Sequence, residues 1–179
     1  NPGVKKFFIL ILPALIAGGI AQINLLVDTI FASLLVTGSP TWLYVSDRLI
    51  QFPMGIFAIA IGTVLLPSLS KAHTQKNTEN FISQLQYAFK LIFFLAVPSV
   101  IGLTLFSSPL LATIFQRGAF LWVDVQQASL SLIGFAFGLP FFMAMKVLVP
   151  AFFSRQNTKT PMIVALISLL LNIALNYLL

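Results

Sequence analysis

Arg48 has the most chemistry to offer, standing in Asp47-Arg48-Leu49-Ile50-Gln51-Phe52-Pro53 at the head of a long apolar run. A guanidinium stays charged at any working pH and presents a planar fork of donors that fits phosphate. An anchor at the edge of the run, paired locally with Asp47, is the alternative. Asp28 comes second, in Gln22-Ile23-Asn24-Leu25-Leu26-Val27-Asp28-Thr29, and is the only acidic residue well inside an apolar run. A carboxylate there must face a cavity, a cation or a partner helix. Asn172 and Asn176 are spaced i, i+4, which puts both on one face of a helix. Their oxygens, joined by a carboxylate, could help to coordinate a hard cation such as sodium. Hydrogen bonds between helices are the alternative.

Other chemistries are poorly served. The chain has no Cys, which excludes disulfides, thiolate catalysis and Cys metal sites. Its one histidine, His73, stands in the polar stretch Ser70-Lys71-Ala72-His73-Thr74-Gln75-Lys76-Asn77 and reads as a solvated loop residue. A Ser-His-Asp relay would have to use His73, which lies at the opposite ends of the runs from Asp28, Asp47 and Asp124. There is no glycine-rich phosphate loop of the G-x-x-x-x-G-K type. The chain is therefore not expected to be an enzyme. No cofactor is expected either, beyond a sodium ion at Asp28, Asn172 and Asn176.

The elements that must position these residues follow from composition. Of 179 residues, 59% are apolar and 8% charged, and the mean hydropathy is +1.01. A soluble domain carries about 25% charged residues, so so few charges cannot clothe a water-facing surface. The 18 Phe exclude a solvated coil. Five apolar segments cover about 7–36, 43–69, 85–115, 125–153 and 161–179. A spanning helix needs about 20 residues at 1.5 Å each, and a membrane barrel would show alternating segments of about ten. The expectation is an all-α polytopic bundle of about five membrane-spanning helices. Pro13, Pro53, Pro98 and Pro140 fall inside the segments as kinks, whereas Pro67 and Pro150 read as stops. The net charge of +6 sits in short gaps, which points to membrane orientation rather than to nucleic acid. Lys5, Lys6, Lys71, Lys76, Arg155 and Lys159 fall on one side, Arg48 and Arg117 on the other. The excess places the first side in the cytoplasm, with Lys90 and Lys146 snorkelling towards it. The chain opens Asn1-Pro2-Gly3 and stops at Leu179 inside an apolar run, so a fragment of a larger membrane protein is expected.

Longer motifs carry a family resemblance. Asp47-Arg48-Leu49-x-x-Phe52-Pro53-x-Gly55, running on to Ala60-Ile61-Gly62-Thr63-Val64-Leu65-Leu66-Pro67-Ser68-Leu69-Ser70, resembles the MurJ/MviN family of lipid II flippases. Asp28-Thr29-Ile30-Phe31-Ala32-Ser33, Phe115-Gln116-Arg117-Gly118-Ala119-Phe120 and the stretch Lys146-Val147-Leu148 to Lys159-Thr160-Pro161 are similar in the same way. The resemblance runs from about Val4 to the end. It implies a protein of two six-helix lobes plus two helices, of which this chain looks like helices seven to eleven, most of the second lobe. It also implies alternating access that carries lipid II, an undecaprenyl-pyrophosphate-linked peptidoglycan precursor, from the inner to the outer leaflet of the bacterial cytoplasmic membrane. The partners implied are lipid II, membrane lipid and the N-terminal lobe. Arg48 matches an arginine the family needs, and with Gln51, which stands where many members have Glu, it would bind the pyrophosphate. Some members bind sodium between helices seven, eleven and twelve. Asp28, Asn172 and Asn176 look like the matching positions, with Asn176 replacing an expected Asp. A drug or cation antiporter of the same superfamily would need a strongly acidic cavity, and an enzyme acting on polyprenyl phosphates would need clustered carboxylates. A non-transporting membrane scaffold is the remaining alternative.

Overall fold

Lipid offers the backbone no hydrogen-bond partner, so apolar runs of this length satisfy their amides internally as helices. In the computed structural model, which describes the backbone of residues 2–178 and the side chains of residues 11–178, every regular element is helical. Asn1, Leu179 and the side chains of Lys5 and Lys6 lie outside the described residues. The order is α1 (Pro2–Leu34), α2 (Ser39–Pro53), a π-helical turn (Met54–Ile59), α3 (Ala60–Thr74), α4 (Thr78–Leu105), α5 (Ser107–Phe115), α6 (Trp122–Ser154) and α7 (Lys159–Leu178). Among the described residues, five stretches are long and apolar enough to cross a membrane: Ile11–Leu34, Ser39–Thr74, Thr78–Leu105, Trp122–Ser154 and Lys159–Leu178.

Three departures from the sequence expectation have a common origin in proline. The segment expected over 85–115 divides, with α4 ending at Leu105 and α5 beginning at Ser107. Pro109 has no N–H for the Leu105 carbonyl and its ring crowds that oxygen, so the α4 ladder closes at Phe106, whose N–H bonds to Gly102 at 2.9 Å. Conversely, Pro67 and Pro150, read as stops, lie inside α3 and α6. At these two positions the helix runs on past the proline, as it does at Pro13, Pro98 and Pro140. Pro53 closes α2, and the chain continues without a break through the π-helical turn Met54–Ile59 into α3. Such a bulge absorbs an interrupted ladder at little cost.

Two turns are built alike. Lys76 and Gln156 take left-handed conformations, with φ of 54° and 56°. After α3, Asn77 N–H bonds to the Ala72 carbonyl and Lys76 N–H to His73; after α6, Asn157 bonds to Phe152 and Gln156 to Phe153. This paired pattern satisfies the orphan carbonyls of a helix end. The following asparagine then serves the next helix: the Asn77 side chain accepts from Asn80 N–H at 2.9 Å, and that of Asn157 from Thr160 N–H at 3.1 Å.

The chain divides into two compact units, residues 37–151 and residues 1–36 with 152–179. In the first, α6 is the spine. Val125, Ala128, Leu132, Ala136, Leu139, Met143 and Val147, three or four apart, form its fully buried stripe. They pack with Ala58, Leu65 and Leu69 of the α2–α3 run and Ala88, Ile92 and Ala96 of α4. Alanines at these positions let backbones approach closely, which is how helices bind one another in lipid. In the second unit, α1 packs on α7. The less exposed residues of α1 (Pro13, Ala17, Ile20, Asn24, Val27, Phe31) also recur at three and four, as do Pro161, Ala165, Leu169, Asn172 and Asn176 of α7. That is the spacing of a helix–helix seam.

Candidate substrate and cation sites

Gly38 sets the start of α2. Its φ of +107° suits only glycine, and a Cβ there would stand 2.8 Å from the Trp42 ring, which packs over it. So placed, Trp42 donates its indole N–H to Asp124 Oδ1 at 2.8 Å. Asp124 lies in the first turn of α6, and its other oxygen accepts from Leu121 N–H at 2.8 Å, the acidic half of a capping box. One turn on, Ser46 Oγ lies 2.8 Å from the Trp42 carbonyl and 2.7 Å from that of Ala128. The heads of α2 and α6 are thereby pinned by polar groups that spacing in the sequence does not connect.

The next turns of α2 carry Arg48. Tyr44 lies four residues before it and Gln51 three after, so both reach it across the helix surface. The guanidinium carbon sits 4.7 Å from the centre of the Tyr44 ring, a cation–π contact. Arg48 Nη1 lies 3.4 Å from Gln51 Oε1, and the Gln51 amide donates to Asp47 Oδ2. Asp47 therefore engages Gln51, and Arg48 turns to the ring and the amide oxygen; the local Asp47–Arg48 pair considered from composition does not form. The structure brings Arg48 and Gln51 together and leaves the guanidinium exposed.

Beside them lies a cavity of about 270 Å³ lined by Asp47, Ile50, Met54, Phe135, Phe142 and Lys146, with only the first and last charged. Lys146 falls inside the spanning stretch Trp122–Ser154, eight residues before its end. Its backbone is held unusually closely. Pro150 has no N–H for the Lys146 carbonyl, and Gly62 of α3 comes so near that a Cβ there would be 2.8 Å from that oxygen. Only glycine permits this approach. The sequence had assigned Lys146 to snorkelling. Its position on a cavity shared with Asp47 needs α2 and α6 to be adjacent.

The α1–α7 unit gathers the second set. Asn172 donates to Asp28 Oδ1 at 2.7 Å and Asn176 to the same oxygen at 3.3 Å, while Asn176 also donates to Asn172 Oδ1 at 3.1 Å. As arranged, amide donors satisfy the carboxylate. A half-turn of each amide would present oxygens instead, since each carries both kinds of group. One turn before Asp28, Asn24 Oδ1 is buried with no hydrogen-bond partner. In the sequence Asn24 stands out only as part of the unusually polar stretch around Asp28 and is given no role; its i, i+4 spacing to Asp28 was the available signal. His73, expected in a loop, lies exposed in the last turn of α3. Among the described residues no three His, Cys, Asp or Glu cluster as a metal site would require.

Comparison with known proteins gives the family. A family model described as lipid II flippase MurJ matches residues 1–179. The chain is 46% identical over 176 residues to a probable lipid II flippase MurJ of Vibrio cholerae serotype O1, covering 98% of this chain and 34% of that protein. It is 43% identical over 184 residues to a probable lipid II flippase MurJ of Haemophilus influenzae, covering 99% and 36%. A solved structure of a lipid II flippase MurJ in an inward closed conformation superposes with a TM-score of 0.83 at 32% identity, covering 97% of this chain and 37% of that one. The chain thus spans about a third of the length of the relatives it matches. With the family model matching the whole chain and the helical fold agreeing, the chain belongs to the lipid II flippase MurJ family.

Proposed function

We propose that this chain is the part of a lipid II flippase that supplies one cationic wall of its pathway, in the cytoplasmic membrane of a bacterium. The observation that carries the reading is the Arg48 guanidinium, exposed in a membrane-spanning run and held by Tyr44 and Gln51 rather than neutralised by Asp47. Such a fork suits a diphosphate, with Gln51 orienting it. The headgroup passes along the polar wall while the polyprenyl tail stays in lipid, and no bond is made or broken. A partner lobe completes the pathway, and the two rock in alternation. In a strain depleted of the native gene, Arg48→Ala in the full-length gene product should fail to support growth at normal protein level. Arg48→Lys, which keeps the charge and loses the fork, should be intermediate. Growth of the Arg48→Ala strain at wild-type rate would remove Arg48 from the pathway.

A second element of the reading concerns Asp28. The cluster of Asp28, Asn172 and Asn176, with the free Asn24 oxygen one turn away, supports a monovalent cation site once the two amides turn. Sodium is the cation such hard oxygen ligands suit, and its binding would bias the conformational cycle.

A further inference from the structure

Gln22 lies in the middle of the membrane-spanning stretch Ile11–Leu34, about 17 Å from either end. A glutamine is too short to reach either surface from there. Its side chain is exposed and has no hydrogen-bond partner among the described residues. With Gly18, Leu25, Thr29 and Ser33 it recurs at three and four along one exposed face of α1, on the opposite side of the helix from the seam with α7. Thr29 and Ser33 spend their hydroxyl hydrogens within the helix, Thr29 on the Leu25 carbonyl at 2.7 Å and Ser33 on that of Ile30 at 2.6 Å. Gln22 is thus the residue of this face with donors to spare, and open space lies over Gly18 one turn before it. A lipid tail cannot meet two N–H donors and an amide oxygen, and polar groups inside a span face a bundle interior or a water-filled cavity. The face also carries no charge. Asp28 is the single charged residue of Ile11–Leu34, and Asn172 and Asn176 engage it.

We infer that Gln22 is a specificity contact for the sugar of the carried headgroup, hydrogen-bonding its hydroxyl and N-acyl groups and not its diphosphate. This rests on the flippase reading above and adds to it a residue that tells the loaded lipid from the bare carrier. A neutral amide both donates and accepts, as sugar hydroxyls and acetamido groups do, whereas a diphosphate only accepts and draws a cation. The lone pairs left on the Thr29 and Ser33 hydroxyls continue the face about 10 and 16 Å further along α1. A headgroup moving along it exchanges one uncharged hydrogen-bonding group for the next. The bare carrier brings no sugar to Gln22, and a polar group left unmatched by its ligand is what makes such a contact selective.

The test uses the full-length gene product in lipid nanodiscs, with binding read by native mass spectrometry. The probes are lipid II, the same lipid without its peptide, and undecaprenyl diphosphate, which share tail and diphosphate. Gln22→Leu, close in size and at home in lipid, should weaken the two sugar-bearing probes about three- to ten-fold, the scale of one neutral hydrogen bond. Undecaprenyl diphosphate should bind as before. Gln22→Asn, which keeps the amide on a shorter stem, should fall between, and it carries the comparison should Gln22→Leu lower the thermal midpoint. Wild-type affinity for the sugar-bearing probes in both variants overturns the contact and leaves the flippase reading intact. An equal loss for all three probes, as from a Gln22 packed against a further helix, overturns it too, and so does a loss confined to the peptide-bearing lipid. Failure of the wild type to bind any probe would overturn the flippase reading itself, and the contact with it.

Discussion

Asp28→Asn separates a cation ligand from a structural hydrogen-bond acceptor. Asn keeps the shape and one oxygen for Asn172 and Asn176, which now reach Asp28 Oδ1 at 2.7 and 3.3 Å, so folding should survive. The charge that would hold sodium is lost. A distance between the two lobes of the full-length protein, followed by spin labels during sodium titration, should respond in the wild type and not in Asp28→Asn. An equal response in both, or none in the wild type, would reduce the cluster to interhelical glue of about 0.6–2 kcal/mol per bond. The residues of this cluster were legible by type, because an acid and two amides are conspicuous among Leu and Ile. Their meeting was not, because Asp28 and Asn172 are 144 positions apart and no local spacing encodes that. Arg48 and Gln51 are the opposite case, three apart on one helix face and foreseeable from the helical repeat. Asn24 had the same local signal, but an amide whose oxygen lacks a partner is visible only once packing is known.

Close contact between α3 and α6 rests on a missing side chain. Gly62→Ala places a Cβ 2.8 Å from the Lys146 carbonyl, and backbone cannot step aside as a flexible side chain can. The expected cost is about 1–3 kcal/mol, seen as a lower thermal midpoint of the full-length protein in detergent. Gly134→Ala is the matched control, since no atom lies within 4 Å of its Cβ position, and removal of a mid-helix glycine should be neutral or stabilising by about 0.5–1 kcal/mol. Equal midpoints for the two variants would mean that the α3–α6 seam yields. The spans themselves were readable because lipid imposes helix on any apolar run of sufficient length. The break at Phe106 was not foreseen, because hydropathy ignores which carbonyl a proline orphans; Pro109 held that information. Pro67 and Pro150 misled in the other direction: each removes one bond, and the helix runs on past it.

Across the whole chain, exposed apolar side chains such as Leu15, Leu25, Ile30 and Leu170 cover α1 and α7, as lipid or further helices require and water forbids. The chain covers 34% of its Vibrio cholerae relative, and the flippase reading proposed above assigns transport to a full-length gene product in which a second lobe closes the pathway on each side in turn. The Arg48 site of the proposed function matters only if its cargo is the lipid-linked cell-wall precursor. Depletion of the gene in living cells, followed by assay of which leaflet holds lipid II, tests this most directly. Lipid II should accumulate in the inner leaflet and become inaccessible to an outer-face enzyme or probe, with wild-type protein restoring access and Arg48→Ala failing to do so. Unchanged outer-leaflet lipid II after full depletion would contradict the flippase function.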